Sequence, residues 1–388
     1  MDFSINYLDL LKYCYGLGSF HGINTLEAAR NRLYTLVRNL KDCCLLLDCP
    51  HNSEDCHMHD VVCDVATLIA SKDHNMIIVR DDDGLKERLD VDVLKRCKEL
   101  SMHGGDFHEL PDEMECPELR FLYVDGGDHS LQIPDTFFQG MERLEVLDFT
   151  QMQLSSLPLL RNLLTLCLDG CVLDDIAVIG KLKNSVVLSL LGSQISKLPK
   201  EIGFLSHLRL LDLSNCSKLE VIPPNVLSSL VALEELYMGN SFVRWEAEGL
   251  NNERNNANLP ELRHLSHLTT LEIHIPDASN LPKDLLFEKL ERYVIFVGDV
   301  WDWSDKTKGL LQLKELEIRE CSIMGAIVVK EGEIEDTDMI LFPKLRCLAL
   351  RDLPKLISFL SAQNSFITAF GEIISDGKLD FYVPILHE

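Results

Sequence analysis

Between residues 97 and 345 the chain keeps returning to one short pattern, whose fullest form is Leu208-Arg209-Leu210-Leu211-Asp212-Leu213-Ser214-Asn215-Cys216. Apolar residues at its first, fourth and sixth places put three side chains on the inner side of a short strand. The residues between them face outward, and the ninth place turns the chain. Related openings stand at Cys97, Leu119, Leu144, Leu163, Ser185, Leu233, Leu268, Leu290, Leu313 and Leu345, with most successive starts 19 to 25 residues apart. One such unit cannot bury its own apolar side and requires neighbours stacked on it.

A second beat runs in step with the first. Leu-Pro or Ile-Pro follows 13 or 14 residues after the strand start at Leu110-Pro111, Ile133-Pro134, Leu157-Pro158, Leu198-Pro199, Ile222-Pro223 and Leu281-Pro282. Proline suits the first position of a short helix or 3₁₀ turn, where its missing N–H is no loss. The two registers together define an α/β leucine-rich-repeat solenoid, a curved parallel sheet with a helical or 3₁₀ outer side, over residues 94–360.

The repeats also explain the cysteines. Of thirteen, Cys171, Cys216 and Cys321 fall at the turn place of a repeat, as small buried residues and not bridges. The amino terminus carries no basic segment followed by an apolar core, and no apolar run approaches a membrane span, so reduced thiols in a cytoplasmic chain are expected. A net charge of −25 argues against nucleic acid or an anionic membrane as partner and favours a basic protein surface.

Residues 1–80 carry no repeat. Leu8 to Gly16 reads as a short helix ended by glycine, and Thr25 as the cap of a second helix to about Leu40, whose apolar face is Leu26, Leu33, Leu36, Val37 and Leu40. Cys44 to Leu47 reads as a strand before the turn residues Pro50 to Ser53. A third helix over Asp60 to Ser71 carries Val61, Val65, Leu68 and Ile69. Helices with a small hairpin predict a winged-helix-like unit, which a solenoid could also use as a cap.

Met58-His59-Asp60-Val61-Val62 enters that third helix, behind Gly16-Leu17-Gly18, Gly22 to Arg30 and Cys44 to Leu47. In this setting the sequence resembles the end of the nucleotide-binding switch module (NB-ARC) of plant intracellular disease-resistance proteins of the coiled-coil nucleotide-binding leucine-rich-repeat class. The resemblance continues through Leu166 to Cys171, Leu211 to Leu219 and Glu235 to Ser241. It implies a role in innate immunity, with ADP or ATP as the full-length family's cofactor. It also implies that His59 senses the ADP phosphate, framed by Met58 and Asp60, since an imidazole N–H donates to phosphate and a carboxylate can orient the ring.

The chain departs from that family in lacking the coiled coil, the phosphate loop and the central ATPase subdomains, so it is expected to be an amino-terminally truncated member. No GxxxxGK[ST] occurs, and Gly371…Gly377-Lys378 has the wrong spacing and is followed by Leu379. Without that loop, no cofactor is expected in this chain. Cys63 stands where the family often has arginine. Cys49, His51, Cys56, His57, His59 and Cys63 crowd together, but Cys56 and His59 make only half of a zinc ligand set, and no metal is expected.

An acidic linker is expected over 81–93, including Asp81-Asp82-Asp83-Gly84. The Leu163 repeat is short and has Ile176 without its proline, and Ser185 replaces a leucine, so both should pack less well. Long repeats expose an insertion with Trp245 and the asparagine-rich 251–256, and an acidic loop from Glu331 to Asp338. An irregular, poorly ordered tail is expected over 361–388.

The working surface is read from the outward strand residues: Tyr123, Asp125, Glu145, Asp148, Thr165, Asp169, Arg209, Asp212, Glu235, Tyr237, Glu272, His274, Lys314, Glu317 and Arg319. A file of carboxylates selects basic partners, and tyrosine adds contact area at low entropy cost. There is no HExxH and no G-x-S-x-G, and the polar residues form a ladder instead of converging, so no catalysis is expected. The partners to expect are a pathogen effector or a guarded host protein, with an NB-ARC module in cis or in trans. Two other readings stay open: a fragment of an ADP/ATP-dependent immune switch, and an F-box-like substrate receptor for ubiquitin ligation.

Overall fold

The computed structural model describes residues 4–49, 52–72, 76–79, 91–103 and, with short gaps, 110–276, together with residue 290 and the strands named below beyond it. The chain opens with β1 (Ser4–Asn6), α1 (Tyr7–Gly16), α2 (Leu26–Asp42), β2 (Leu47–Cys49), β3 (Asn52–His57) and α3 (Asp60–Ser71). The three strands form an antiparallel sheet with β3 in the middle. Asn6 caps α1 by accepting from the Leu8 N–H at 2.8 Å, and Thr25 caps α2 by accepting from the Ala28 N–H at 3.3 Å.

Two details differ from the sequence reading. The strand expected over 44–47 starts only at Leu47, because Cys43 and Cys44 still finish α2. Their N–H groups bond back to Asn39 and Lys41, and Cys44 takes φ +56°. The apolar face of α2 is also divided. Leu33 and Val37 pack with Tyr7, Leu11 and Cys56 inside the helical unit, whereas Leu36 and Leu40 are exposed. On α3, Val61, Val65, Leu68 and Ile69 share one face that is largely exposed, and α3 has no buried residue.

The repeats build one ten-stranded parallel sheet in chain order. Its strands are β4 (Met76–Val79), β5 (Glu99–Met102), β6 (Phe121–Asp125), β7 (Val146–Thr150), β9 (Thr165–Cys167), β11 (Val187–Ser189), β12 (Leu210–Asp212), β13 (Glu235–Tyr237), β14 (Thr270–Ile275) and β15 (Arg292–Val297). The parallel array thus begins at Met76, ahead of the position expected for the first repeat. Two-residue strands β8 (Gln153–Leu154) and β10 (Val172–Leu173) form a smaller parallel ladder. Short 3₁₀ turns at Ala177–Lys181, Lys200–Phe204, Leu227–Ser229 and Leu259–His264 connect successive strands. Pro199 is the residue before its turn, with φ −61° and ψ 139°, and Pro260 lies within the first positions of the last.

The core is the stack of inward leucines; Leu208, Leu211 and Leu213 have no exposed surface. Trp245, expected on an exposed insertion, belongs to this core. Its ring meets Phe242 edge-on, and its Nε1–H donates to the His274 carbonyl at 2.8 Å. Ser185 is buried in place of leucine and satisfies its hydroxyl by donating to the Leu163 carbonyl at 3.2 Å.

Five repeats leave their strands by the same backbone step. Gln151, Gly170, Gly192, Asn215 and Asn240, all seven residues after a repeat start, have φ between 49° and 67°. Glycine and asparagine tolerate this left-handed conformation, which explains their recurrence there; Gln151 is the exception. In three of these five the next residue ties the repeat to the one before it. Cys171 Sγ donates to the Phe149 carbonyl at 3.2 Å, Ser193 Oγ to Leu168, and Cys216 Sγ to Leu190 at 3.0 Å. Burial pushes both thiols up to about 12, so they remain donors.

Farther on, β16 (Glu315–Arg319) pairs parallel with β18 (Cys347–Arg351), and β17 (Ala326–Val329) pairs parallel with β19 (Ser358–Ser361). β20 (Asp380–Pro384) runs antiparallel to β18, a strand inside the segment expected to be irregular. Of the acidic linker expected over 81–93, residues 91–93 belong to a helical turn, Val91–Leu94, and residues 81–90 lie outside the described residues, as do 251–254 of the asparagine-rich stretch 251–256, the acidic loop 331–338, Cys321 and the remainder of the tail.

Replacing Cys216 by alanine removes one of two donors to the buried Leu190 carbonyl, which keeps the Ser193 N–H at 3.0 Å, and is expected to cost about 0.5–1.5 kcal/mol. Cys216→Ser should restore most of the loss. Urea denaturation of the three proteins checks both.

Candidate recognition surface

Registered parallel strands line up equivalent outward residues in rows. The fifth repeat place gives Tyr123, Asp148, Cys167, Ser189, Asp212, Tyr237 and Glu272, side by side across β6 to β14. The third place gives Phe121, Val146, Thr165, Val187, Leu210, Glu235, Thr270 and Arg292. Much of this second row is apolar, yet Val146, Val187 and Leu210 have no exposed surface. Helices α1 and α2 of the same chain lie over it.

The contact is close at Gly16, where a Cβ would come within 2.8 Å of the Val146 side chain. Thr165 Oγ1 donates to the Lys12 carbonyl at 3.0 Å, and Leu26 packs on Val187 and Leu210. The Leu26 N–H donates to Glu234 at 2.7 Å, satisfying one of the free N–H groups at the start of α2. Tyr13 meets Phe121 edge-on at 5.3 Å between centroids, and its phenol donates to Asp148.

Two cations anchor the helices. The Lys12 ammonium has no exposed surface and lies 3.2 Å from Asp9, 3.6 Å from Asp169 and 3.5 Å from Asp212; it also donates to Ser189 at 3.1 Å. Burial alone would lower its pKa, but the fields of Asp169 and Asp212 more than offset this, and the value is raised. Farther along, Arg30 bonds Glu235 at 2.6 Å and the Tyr237 hydroxyl at 3.1 Å, and Glu235 also meets Arg292 at 3.2 Å.

The outward residues read from the sequence therefore divide into two groups. Asp148, Asp169, Arg209, Asp212, Glu235 and Tyr237 are engaged by α1, α2 or the segment between them; Arg209 bonds both the Asn24 carbonyl and Glu234. Glu145 is paired with Arg120, which also holds the Leu17 carbonyl. Tyr123 and Asp125 are half-buried at the β6 end, Glu272 is half-buried at the β14 end, and His274 is buried there. Arg319 belongs to β16, where only the backbone is described. Lys12, Arg30 and the apolar third row were not read as functional from the sequence. The available signal was Val146, Val187 and Leu210 at outward places, where an open sheet would carry polar residues.

His59 caps α3. Its Nδ1 accepts from the Val61 N–H at 3.3 Å, which fixes the remaining proton on Nε2 of an exposed ring. Met58 packs against the helical core, and Asp60 is exposed in the first turn. One imidazole N–H beside Asp60 is a poor match for a nucleotide phosphate, which needs several convergent donors or a cation. These residues do not by themselves fit ADP. Cys49 Sγ lies 3.7 Å from His57 Nδ1, and among the described residues no group of three or more side chains could hold a metal ion. Among the described residues no helix is long and apolar enough to cross a membrane.

Fold and surface define a leucine-rich-repeat solenoid that carries a small helical unit on its strand face. No protein-family model matches the chain. It is 28% identical over 338 residues to disease resistance protein At4g27190 of Arabidopsis thaliana, covering 83% of this chain and 34% of that protein. It is 26% identical to putative disease resistance protein At4g10780 of the same plant, covering 94% and 46%. Among solved structures, a leucine-rich-repeat protein of Leptospira interrogans aligns with a TM-score of 0.44 at 19% identity, over 74% of this chain and 77% of that one. The chain's relatives are plant disease-resistance proteins of the nucleotide-binding leucine-rich-repeat type, the family it resembles at Met58-His59-Asp60 and along the repeats. It spans about a third to a half of the length of the two relatives compared.

Lys12→Met strands Asp169 and Asp212 without their cation and is expected to weaken the helix contact by about 3–5 kcal/mol. Hydrogen exchange should show it as a loss of protection confined to residues 7–16 and 26–37. Titration calorimetry with ADP is expected to give no saturable heat; micromolar binding abolished by His59→Ala would sink that expectation.

Proposed function

We propose that the chain is the non-catalytic protein-recognition part of a plant innate immune receptor. It acts in the cytoplasm and recognises a pathogen effector or a guarded host protein through the strand face of its repeats. The observation that supports this reading is the way the face holds its own helices. Carboxylates of three repeats, Asp169, Asp212 and Glu235, receive Lys12 and Arg30, while the partly apolar third-place row receives Leu26. This is the chemistry of a surface made for basic, amphipathic protein segments. That the relatives are disease-resistance proteins supports a role for such a surface in defence.

An outside protein meets this face in competition with α1 and α2. Its first contacts fall at the half-exposed rim, on Tyr123 and Asp125 at one end and Glu272 at the other.

Proximity labelling in infected leaf tissue tests the reading, comparing the wild type with an Asp125→Lys, Glu272→Lys variant shown by circular dichroism to be folded. Proteins labelled by the wild type should drop at least about tenfold with the variant, the size of effect of one well-placed charge pair. An unchanged set would remove the strand face as the recognition surface.

A further inference from the structure

Asp148 sits in the middle of β7 with 3% of its surface exposed, under α1. Its Oδ2 accepts from the Tyr13 phenol and its Oδ1 from Thr150 Oγ1 at 3.1 Å. Both donors are neutral. Around it, α1 brings Asp9, Lys12 and Tyr13; β6 brings Tyr123 and Asp125. From the other side, β9 and the turn after it bring Cys167 and Asp169, and β12 brings Asp212.

Lys12 is the cation in this group, and its ammonium is held by Asp9, Asp169 and Asp212. If every carboxyl here were ionised, Asp148 and Asp212, both buried, would share one buried ammonium with the partly exposed Asp169 and Asp9. Desolvation and the field of Asp169 both disfavour the Asp148 carboxylate, while the Tyr13 hydrogen bond and Lys12 favour it. The balance pushes Asp148 up to about 7.

We propose that the contact between α1 and the strand face is a proton-sensitive latch, in which Asp148 enters the contact as the neutral acid and the latch loosens as that proton leaves. With α1 lifted away, Asp148 faces water and returns towards its ordinary value of 3.8. Docking therefore takes up a proton between the two values. Through Asp148 the contact weakens as pH rises from about 4 to about 7 and changes little above that. Asp169, raised by desolvation and held back by Lys12 and Ser189, acts in the same direction. The partner competing for this face would then meet a firmer lock at lower pH.

Hydrogen–deuterium exchange on the full chain tests the latch, read over residues 7–16 and referred at each pH to residues 208–216 of the repeat core. In the wild type, relative protection should fall between pH 5 and 7 by up to about tenfold per unit, the limit for one linked proton, and level off above. Asp148→Asn keeps the shape and an acceptor for Tyr13 but cannot titrate, and should lose most of that slope. Tyr13→Phe removes a donor that favours the carboxylate and should move the midpoint to higher pH. Wild-type protection that stays constant from pH 5 to 7 overturns the proposal. So does an Asp148→Asn variant that follows the wild type at every pH, or a Tyr13→Phe midpoint that does not rise.

Discussion

The burial of one ammonium, Lys12, governs how the two parts of this molecule meet. A charge taken wholly out of water is tolerated only where opposite charges and hydrogen bonds replace the solvent. Here Asp9 comes from the same helix, and Ser189, Asp169 and Asp212 come from three successive repeats. That cage exists only when the strands are stacked in register and α1 lies across them. The ion set therefore joins the integrity of the solenoid to the placement of the helical unit.

The solenoid supplies the register by recurring local means. From the Leu163 to the Leu208 repeat a left-handed residue ends the strand, the next side chain reaches back to a carbonyl of the preceding repeat, and inward leucines close the core. These devices set the spacing of outward residues to the spacing of strands, about 4.8 Å. Carboxylates placed on such a lattice at Asp148, Asp169, Asp212 and Glu235 make an acidic surface, and Lys12 of α1 and Arg30 of α2 lie on it. The same geometry concentrates negative charge where water is excluded, so acidity and burial oppose each other at Asp148 and Asp169.

An immune-recognition role and an occupied strand face are compatible because the occupant is held by replaceable forces. Lys12, Arg30 and Leu26 contribute charge and apolar contact without a covalent tie to the face, so a protein offering similar groups can take their place. By contrast, the apolar face of α3, with Val61, Val65, Leu68 and Ile69, contributes nothing to this contact. His59 serves the local purpose of capping that helix.

The sequence by itself determined the repeat, its strand starts, the outward and inward places of each strand, and the three helices with Thr25 as a cap. Each of these rests on interactions within a few residues or on a period that must recur for the repeats to stack. It also carried the family resemblance at Met58-His59-Asp60. The sequence could not show that Asp148 meets Tyr13, that Asp169 and Asp212 meet Lys12, or that Glu235 meets Arg30, because those partners lie well over a hundred residues apart and no local rule links them. Only the tertiary structure decided that the acidic face is covered. For the same reason, only it could explain why Val146, Val187 and Leu210 are apolar at outward places: a second layer of the same chain takes them out of water.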